Sequence, residues 1–200
     1  MTRNLVLISM DKDLLDTIVS EGRDTCIGYT DIAPVTGLTL PHLGSDEDGS
    51  RIFQDFPDCQ FVMAMDKPPI KNALCNRYPK DGFGGYISTD TYVSRNSDVD
   101  GTAVVQKSAY VSHSVTLGEF TKINVGAQIH HDVVIEPFVT VAPGALIMGN
   151  VQVGSGSYIG AGAVIRQNII IGENVVIGAG AVVVHDIANG TTAMGVPARG

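Results

Sequence analysis

The sequence predicts a small α/β unit followed by a parallel β-helix, and three observations carry that expectation. From residue 87 to residue 183 every sixth residue is aliphatic, from Ile87, Val93 and Val99 to Ile171, Ile177 and Val183, without a miss over 17 positions. The residue four places after each is small or β-branched, as in Ala103, Ala109, Ala127, Ala145 and Ala163, with Ile169 standing out as bulky in the run from Thr91 to Ala181. The first 85 residues lack the period and instead alternate strand-like with helix-like runs.

Neither a helix nor a single strand needs a strict period of six, so the repeat belongs to a higher-order coil. One hexapeptide supplies a short flat strand and a corner, and three supply a triangular turn of eighteen residues. Successive turns stack by backbone hydrogen bonds about 4.8 Å apart. The large aliphatic fills the prism, and the small residue is expected to let the chain turn beside it.

The preceding stretch reads in order. Asn4–Ser9 is a buried strand run, and Lys12–Glu21 is a helix with Leu14, Leu15, Ile18 and Val19 on one side. Cys26–Ile32 is a second strand, and Pro34 to Asp48 is a loop rich in Gly, Pro and acids. Ser50–Phe56 is helical, Gln60–Met65 is a third strand and Pro69–Arg77 a third helix. Strands alternating with helices imply a βαβ, Rossmann-like unit with a parallel sheet. The run Gly84–Ser88 enters the first coil without a linker, which puts an α/β domain at 1–85 and the β-helix at 86–200.

Composition narrows the partners. A formal net charge of -8 argues against a nucleic-acid surface, which needs a basic stripe. With neither a signal-peptide pattern nor a long apolar run, the chain reads as soluble and cytoplasmic, without a membrane span. Cys26, Cys59 and Cys75 are scattered outside the repeat, an odd number with no zinc or disulfide spacing.

In α/β units a nucleotide often sits on a glycine-rich turn between the first strand and helix. Here that turn is Ser9-Met10-Asp11-Lys12-Asp13. It has no glycine, and Asp11 or Asp13 reads as a helix N-cap. Inside the repeat, His131 stands two places after Ile129, at a corner, with Asp132 beside it. His113 lies eighteen residues earlier and Gly149 eighteen later, so one edge of the prism stacks all three. A carboxylate beside a histidine fixes its tautomer and strengthens it as a general base. An exposed corner pair without a task is the other reading of the same spacing.

The hexapeptide repeat, IHHDVVI around His131, GNVQVGSGSYIGAGAVI at 149–165, IGAGAVVVHDI at 177–187 and the ending GVPAR together resemble the left-handed β-helix acetyltransferases. Among these the chain is most similar to the bacterial nucleotide-amino-sugar N-acetyltransferases and sialic-acid O-acetyltransferases. The resemblance implies the left hand of the coil, acetyl-CoA as co-substrate, and a sugar or nucleotide-sugar acceptor. It also implies a homotrimer whose active sites lie between subunits, and no metal. It makes His131 the general base and Asp132 its supporting acid. It assigns Gly149, Ala161 and Ala179 to backbone contacts with acetyl-CoA. Thr140 falls where some members place a second histidine near the acetyl carbonyl. The acceptor contacts it implies are Met10, Asp11, Lys12, Asp31 and Asp66, although Met10-Asp11-Lys12 and Asp66-Lys67-Pro68 replace the family's glycine-rich and Gly-Asn-Asn turns. On charge, Asp11, Asp13 and Asp66 are expected to stand unpaired there and to repel a phosphate. Two other classes stay open: a zinc carbonic anhydrase of this fold, for which His113, His130 and His131 lack the usual spacing, and a β-helix of purely structural role.

Overall fold

The computed structural model describes residues 2–200. The N-terminal unit is a four-stranded, all-parallel sheet of β1 (Asn4–Ile8), β2 (Thr25–Thr30), β3 (His42–Gly44) and β4 (Cys59–Met63), in the order β3-β2-β1-β4. Central β1 is buried on both faces from Leu5 to Ile8, which is why its run is continuously apolar. Helices α1 (Lys12–Glu21), α2 (Gly49–Asp55) and α3 (Pro68–Cys75) follow β1, β3 and β4. Asp11 is the N-cap of α1, accepting from the N–H groups of Asp13 and Leu14. Gly22, in the left-handed region, ends the helix and donates to Ile18.

β3 lies inside the stretch expected to be a loop. It is three residues long with no buried member, and pairs through Tyr29↔His42 and Thr30↔Gly44. Backbone pairing at a sheet edge needs no hydrophobic alternation, so no side-chain pattern marks it. Because the chain runs β1 to β3 on one side and then crosses back to β4 on the other, the switch point falls between β1 and β4. Beyond their C-terminal ends a crevice must open.

The coil begins at Tyr86–Ile87, and eighteen two-residue strands form three parallel sheets of seven, six and five. Each strand pairs with one eighteen residues on, as in Lys122↔Thr140 and Ile123↔Val141. Both repeat positions point inward: Ile129 and Val133 are fully buried in one continuous core, as are Ile147 and Val151. The turn itself is made one residue before the small one. Ser108, Ser114, Phe120, Gly126, Asp132, Phe138 and Gly144 all have positive φ, and the series continues every sixth residue to Gly180. The turn therefore falls beside the small residue, as the sequence reading expected. The small residue fits inside the corner, and the αL residue before it reverses the chain.

The αL conformation costs a side-chain-bearing residue about 1–2 kcal/mol, which suits Gly, Asn, Asp and Ser. Phe120 and Phe138 are the outliers. Their rings stack on each other at 5.4 Å, and Phe83 meets Phe120 edge-on at 4.9 Å. That packing, at the seam with the N-terminal unit, offsets the strain. The spacing contracts at the end, where Val176 pairs with Thr192, and Ala198 packs against the last turn of the core.

The N-terminal unit lies on the seven-stranded face. Outward-pointing Tyr86, Val104, Lys122 and Thr140 of that face are all buried beneath it. Tyr86 donates its hydroxyl to Glu21 at 2.7 Å. Lys71 of α3 donates to the carbonyls of Phe120 (3.0 Å) and Val139 (3.1 Å). Burial first, and then the charge of Lys122, push the Lys71 amine down to about 7. No helix among the described residues is long and apolar enough to cross a membrane.

Candidate active site

His131 and Asp132 lie at the corner between the six- and five-stranded faces, after the strand Gln128–Ile129. Asp132 is an αL turn residue (φ 59°), and that conformation brings its carboxylate to His131 Nδ1 at 2.8 Å. A carboxylate only accepts, so Nδ1 carries the hydrogen and Nε2 keeps a lone pair. Both side chains are half exposed, at 48% and 47%. An exposed ion pair adds little stability, so this geometry does not exist to hold the fold. One turn earlier His113 stacks on His131, with centroids 5.7 Å apart and planes within 13°. One turn later Gly149 closes on the ring. A Cβ at Gly149 would lie 2.5 Å from His131 Cε1 and 2.6 Å from Nε2, so no other residue fits without displacing the imidazole. The Gly149 N–H has no backbone partner, whereas that of Asn150 donates to His131. His130 turns away and meets Tyr110, centroid to centroid at 6.0 Å.

Ala161 and Ala179 lie exposed on a different corner, between the seven- and six-stranded faces. Their N–H groups also lack backbone partners. Thr140 occupies neither corner. It points out of the seven-stranded face beneath the N-terminal unit, fully buried, and its hydroxyl has no partner. In this position it reaches no open surface, and the structure does not bring it to His131.

The crevice required by the topology is present at the ends of β1 and β4, with a volume of about 420 Å³. It gathers Met10, Asp11, Lys12 and Asp66 with Asn124 and Tyr158 of the coil. Asp31 stays outside its wall and acts behind it, accepting from the Met10 N–H at 3.1 Å and so holding the β1–α1 turn.

The expectation of unpaired carboxylates at this crevice fails for two of the three. Lys122, fully buried, donates to Asp11 Oδ2 at 2.7 Å, Asp66 Oδ1 at 3.0 Å and the Ala64 carbonyl at 2.6 Å. Burial raises Asp11, but Lys122, the Leu14 N–H and the Gln106 amide outweigh it and hold the carboxyl below its ordinary value. Lys122 was missed because its partners are 111 and 58 residues away. One signal was available: it is the lone charge in the outward series Tyr86, Val104, Lys122, Thr140, Tyr158, Val176, whose other members suit a covered face.

Among the described residues no group of three His, Cys, Asp or Glu could hold a metal ion. Cys26, Cys59 and Cys75 are all free thiols.

A histidine–carboxylate corner on a hexapeptide coil, beside an α/β unit with a switch-point crevice, is an arrangement with counterparts among known β-helix transferases. The bacterial transferase hexapeptide family (six repeats) matches residues 132–167 and 150–185. The acetyltransferase domain of PglB from Neisseria gonorrhoeae FA1090, solved with acetyl coenzyme A, is 27% identical. The match covers 100% of this chain and 99% of that one, with a TM-score of 0.89. PerB from Caulobacter crescentus, in complex with CoA and GDP-perosamine, shares the fold at 23% identity (98% and 96% covered, TM-score 0.89). WeeI from Acinetobacter baumannii AYE does so at 24% (99% and 99%, TM-score 0.84). No curated protein sequence matches. The chain thus has the left-handed β-helix fold, carries the transferase hexapeptide repeat within it, and is similar over its full length to acetyltransferases of known structure.

Proposed function

We propose that the protein transfers an acetyl group from acetyl-CoA to the amine of a nucleotide-linked amino sugar, in the cytoplasm, for surface-glycan synthesis. The observation that carries this reading is the His131–Asp132 pair with its tautomer fixed at 2.8 Å and Gly149 against the base. PglB's acetyltransferase domain, the relative solved with acetyl coenzyme A, supports the donor, and PerB's complex with GDP-perosamine supports the acceptor class.

In the step we propose, acceptor and acetyl-CoA are bound together. The acceptor nitrogen attacks the thioester carbonyl while His131 Nε2 takes its proton, and Asp132 stabilises the imidazolium. The Gly149 N–H donates to the developing oxyanion. As the C–S bond breaks, the imidazolium returns a proton to the leaving thiolate. An acetyl-enzyme is not required, and no cysteine lies in the coil to form one. Backbone groups at Ala161 and Ala179 line the path of the pantetheine arm.

Within one chain the base corner and the crevice lie on opposite sides of the six-stranded face. That face exposes Tyr92 and Tyr110, stacked at 5.1 Å, with half-buried Leu146, Val164 and Val182 beyond them. We therefore propose a homotrimer in which the base corner of one subunit meets the donor corner and crevice of the next.

The test is acetyl-CoA consumption, read as free thiol release, across UDP-, GDP-, dTDP- and CMP-linked sugars, with sialic acid included as an O-acetylation control. Turnover with an amino-sugar nucleotide and none without its amine supports N-acetylation. Turnover on sialic acid alone would move the assignment to O-acetylation.

A further inference from the structure

A second cavity, of about 370 Å³, opens on the third corner of the coil, between the five- and seven-stranded faces. Neither the His131 corner nor the Ala161–Ala179 corner borders it, and it shares no residue with the switch-point crevice. It lies across the domain seam. The α/β side supplies Cys75, Lys80 and Phe83, and the coil supplies Asp100, Glu119 and the stacked Phe120 and Phe138. Phe120 and Phe138 stand at αL positions that Gly, Asn, Asp and Ser fill elsewhere in the coil. Backbone conformation disfavours phenylalanine there, yet the cavity keeps both rings. Its charges are open. Among the described residues neither Lys80 nor Glu119 forms an ion pair. Asp100 spends Oδ1 on the N–H and hydroxyl of Thr102, which leaves Oδ2 free. Burial pushes the Cys75 thiol up to about 11, and the charge of Glu119 adds to it, so that carboxylate lies close to the thiol. The amides of Asn72 and Asn76 also line the cavity; they donate and accept alike and do not select by charge.

We propose that this cavity binds an aromatic amino acid, with its ring on Phe120 and Phe138, its ammonium toward Glu119 and Asp100, and its carboxylate toward Lys80. The cavity is of the size and make-up of a small-molecule site, an aromatic wall with a few charged groups. A flat ring buries its face on the phenylalanines. The ammonium gains two carboxylates and the negative faces of the rings. The carboxylate reaches the opposite wall, where Lys80 is the only cation of the lining. An aromatic anion would meet two carboxylates, and an aromatic amine would leave Lys80 unanswered. Because the ligand touches both sides of the seam, binding also ties the α/β unit to the coil. None of this depends on the acetyl-transfer reading.

The experiment follows maleimide labelling of Cys75 in the whole protein by peptide mass spectrometry, with Cys26, which lies outside the cavity, as the reference. L-Phenylalanine is expected to slow labelling of Cys75 saturably, with half-protection near about 1 mM, and to leave Cys26 unchanged. Phenethylamine, which lacks the carboxylate, and hydrocinnamate, which lacks the ammonium, should each need about tenfold more, the loss of one charge-assisted contact. Lys80→Gln should erase the difference between phenylalanine and phenethylamine. Glu119→Gln should narrow the difference between phenylalanine and hydrocinnamate. Both side chains are exposed, so both variants keep the fold. Phe138→Asn removes a ring and installs a residue that the αL turn accepts, as at Asn174. A thermal melt confirms that it is folded, and protection by phenylalanine should be lost. Three results would overturn the site: no protection of Cys75 by phenylalanine up to about 10 mM, equal protection by phenylalanine and hydrocinnamate, or protection that survives Phe138→Asn.

Discussion

His131 and Gly149 are a mutually dependent pair of residues, and the dependence can be measured. His131→Ala is expected to lower turnover by about 10²–10⁴, the usual contribution of a general base, with folding intact because the side chain is half exposed. His130→Ala, whose ring packs toward Tyr110, should cost far less. If the two effects were reversed, the register of the corner would be wrong by one. Gly149→Ala is the sharper test. Its Cβ must push His131 aside, and a displacement of that size costs roughly 10²-fold in turnover. Gly149 has no positive φ, so stability should barely change. Gly144 is the control, because it has φ 66° and open space around it. Gly144→Ala should lose about 1 kcal/mol of stability and no turnover. Thermal melts and steady-state kinetics on both variants separate the roles.

At the scale of elements, two buried lysines join the α/β unit to the coil, and they respond differently to pH. Lys71 has a folded value of about 7, against about 10.4 unfolded. Between those values the unfolded chain holds the extra proton, so stability rises with pH, by at most about 1.4 kcal/mol per unit. Lys71→Met should flatten the stability profile between pH 7 and 9 in denaturant titrations. That window stays below Cys26 and Cys75, which burial pushes up to about 11. Lys122 is a charged partner instead. Lys122→Met leaves Asp11 and Asp66 without their cation, a loss of about 3–5 kcal/mol, or roughly 10 °C in Tm. Asp11 is depressed in the folded state, so its stabilisation is present above its unfolded value of about 3.9 and disappears as pH falls through the folded value. The variant should therefore lose most of its deficit in acid, and a Tm gap that stayed constant with pH would contradict the pairing.

For the whole molecule the main expectation concerns assembly. Light scattering at assay concentration should report three copies, and dilution to monomer should abolish turnover while the far-UV spectrum holds. A fully active monomer would defeat the shared site. The exposed Tyr92–Tyr110 stack gives a second handle. Changing both to Ser should weaken the association without touching either corner.

Much of this protein follows from period and side-chain size. A six-residue period of aliphatics admits one economical packing, so Ile87 to Val183 determined the coil, and the offset of 18 determined that His113, His131 and Gly149 share an edge. The N-cap at Asp11 and the run of β1 were equally local, because caps and buried strands are made by neighbours. The features decided only by tertiary structure are those whose partners are distant or whose signal lies in the backbone. β3 is held by main-chain pairing that no side chain advertises. The αL turn tolerates Asp132 and even Phe120, so its composition hides it. Thr140 is buried because an entire domain lies over its face. Lys122 neutralises Asp11 and Asp66 from across the domain seam, reversing the charge argument that the linear sequence supports. Periodicity is a property of near neighbours and survives in one dimension, whereas charge pairing in a crevice depends on which surfaces meet.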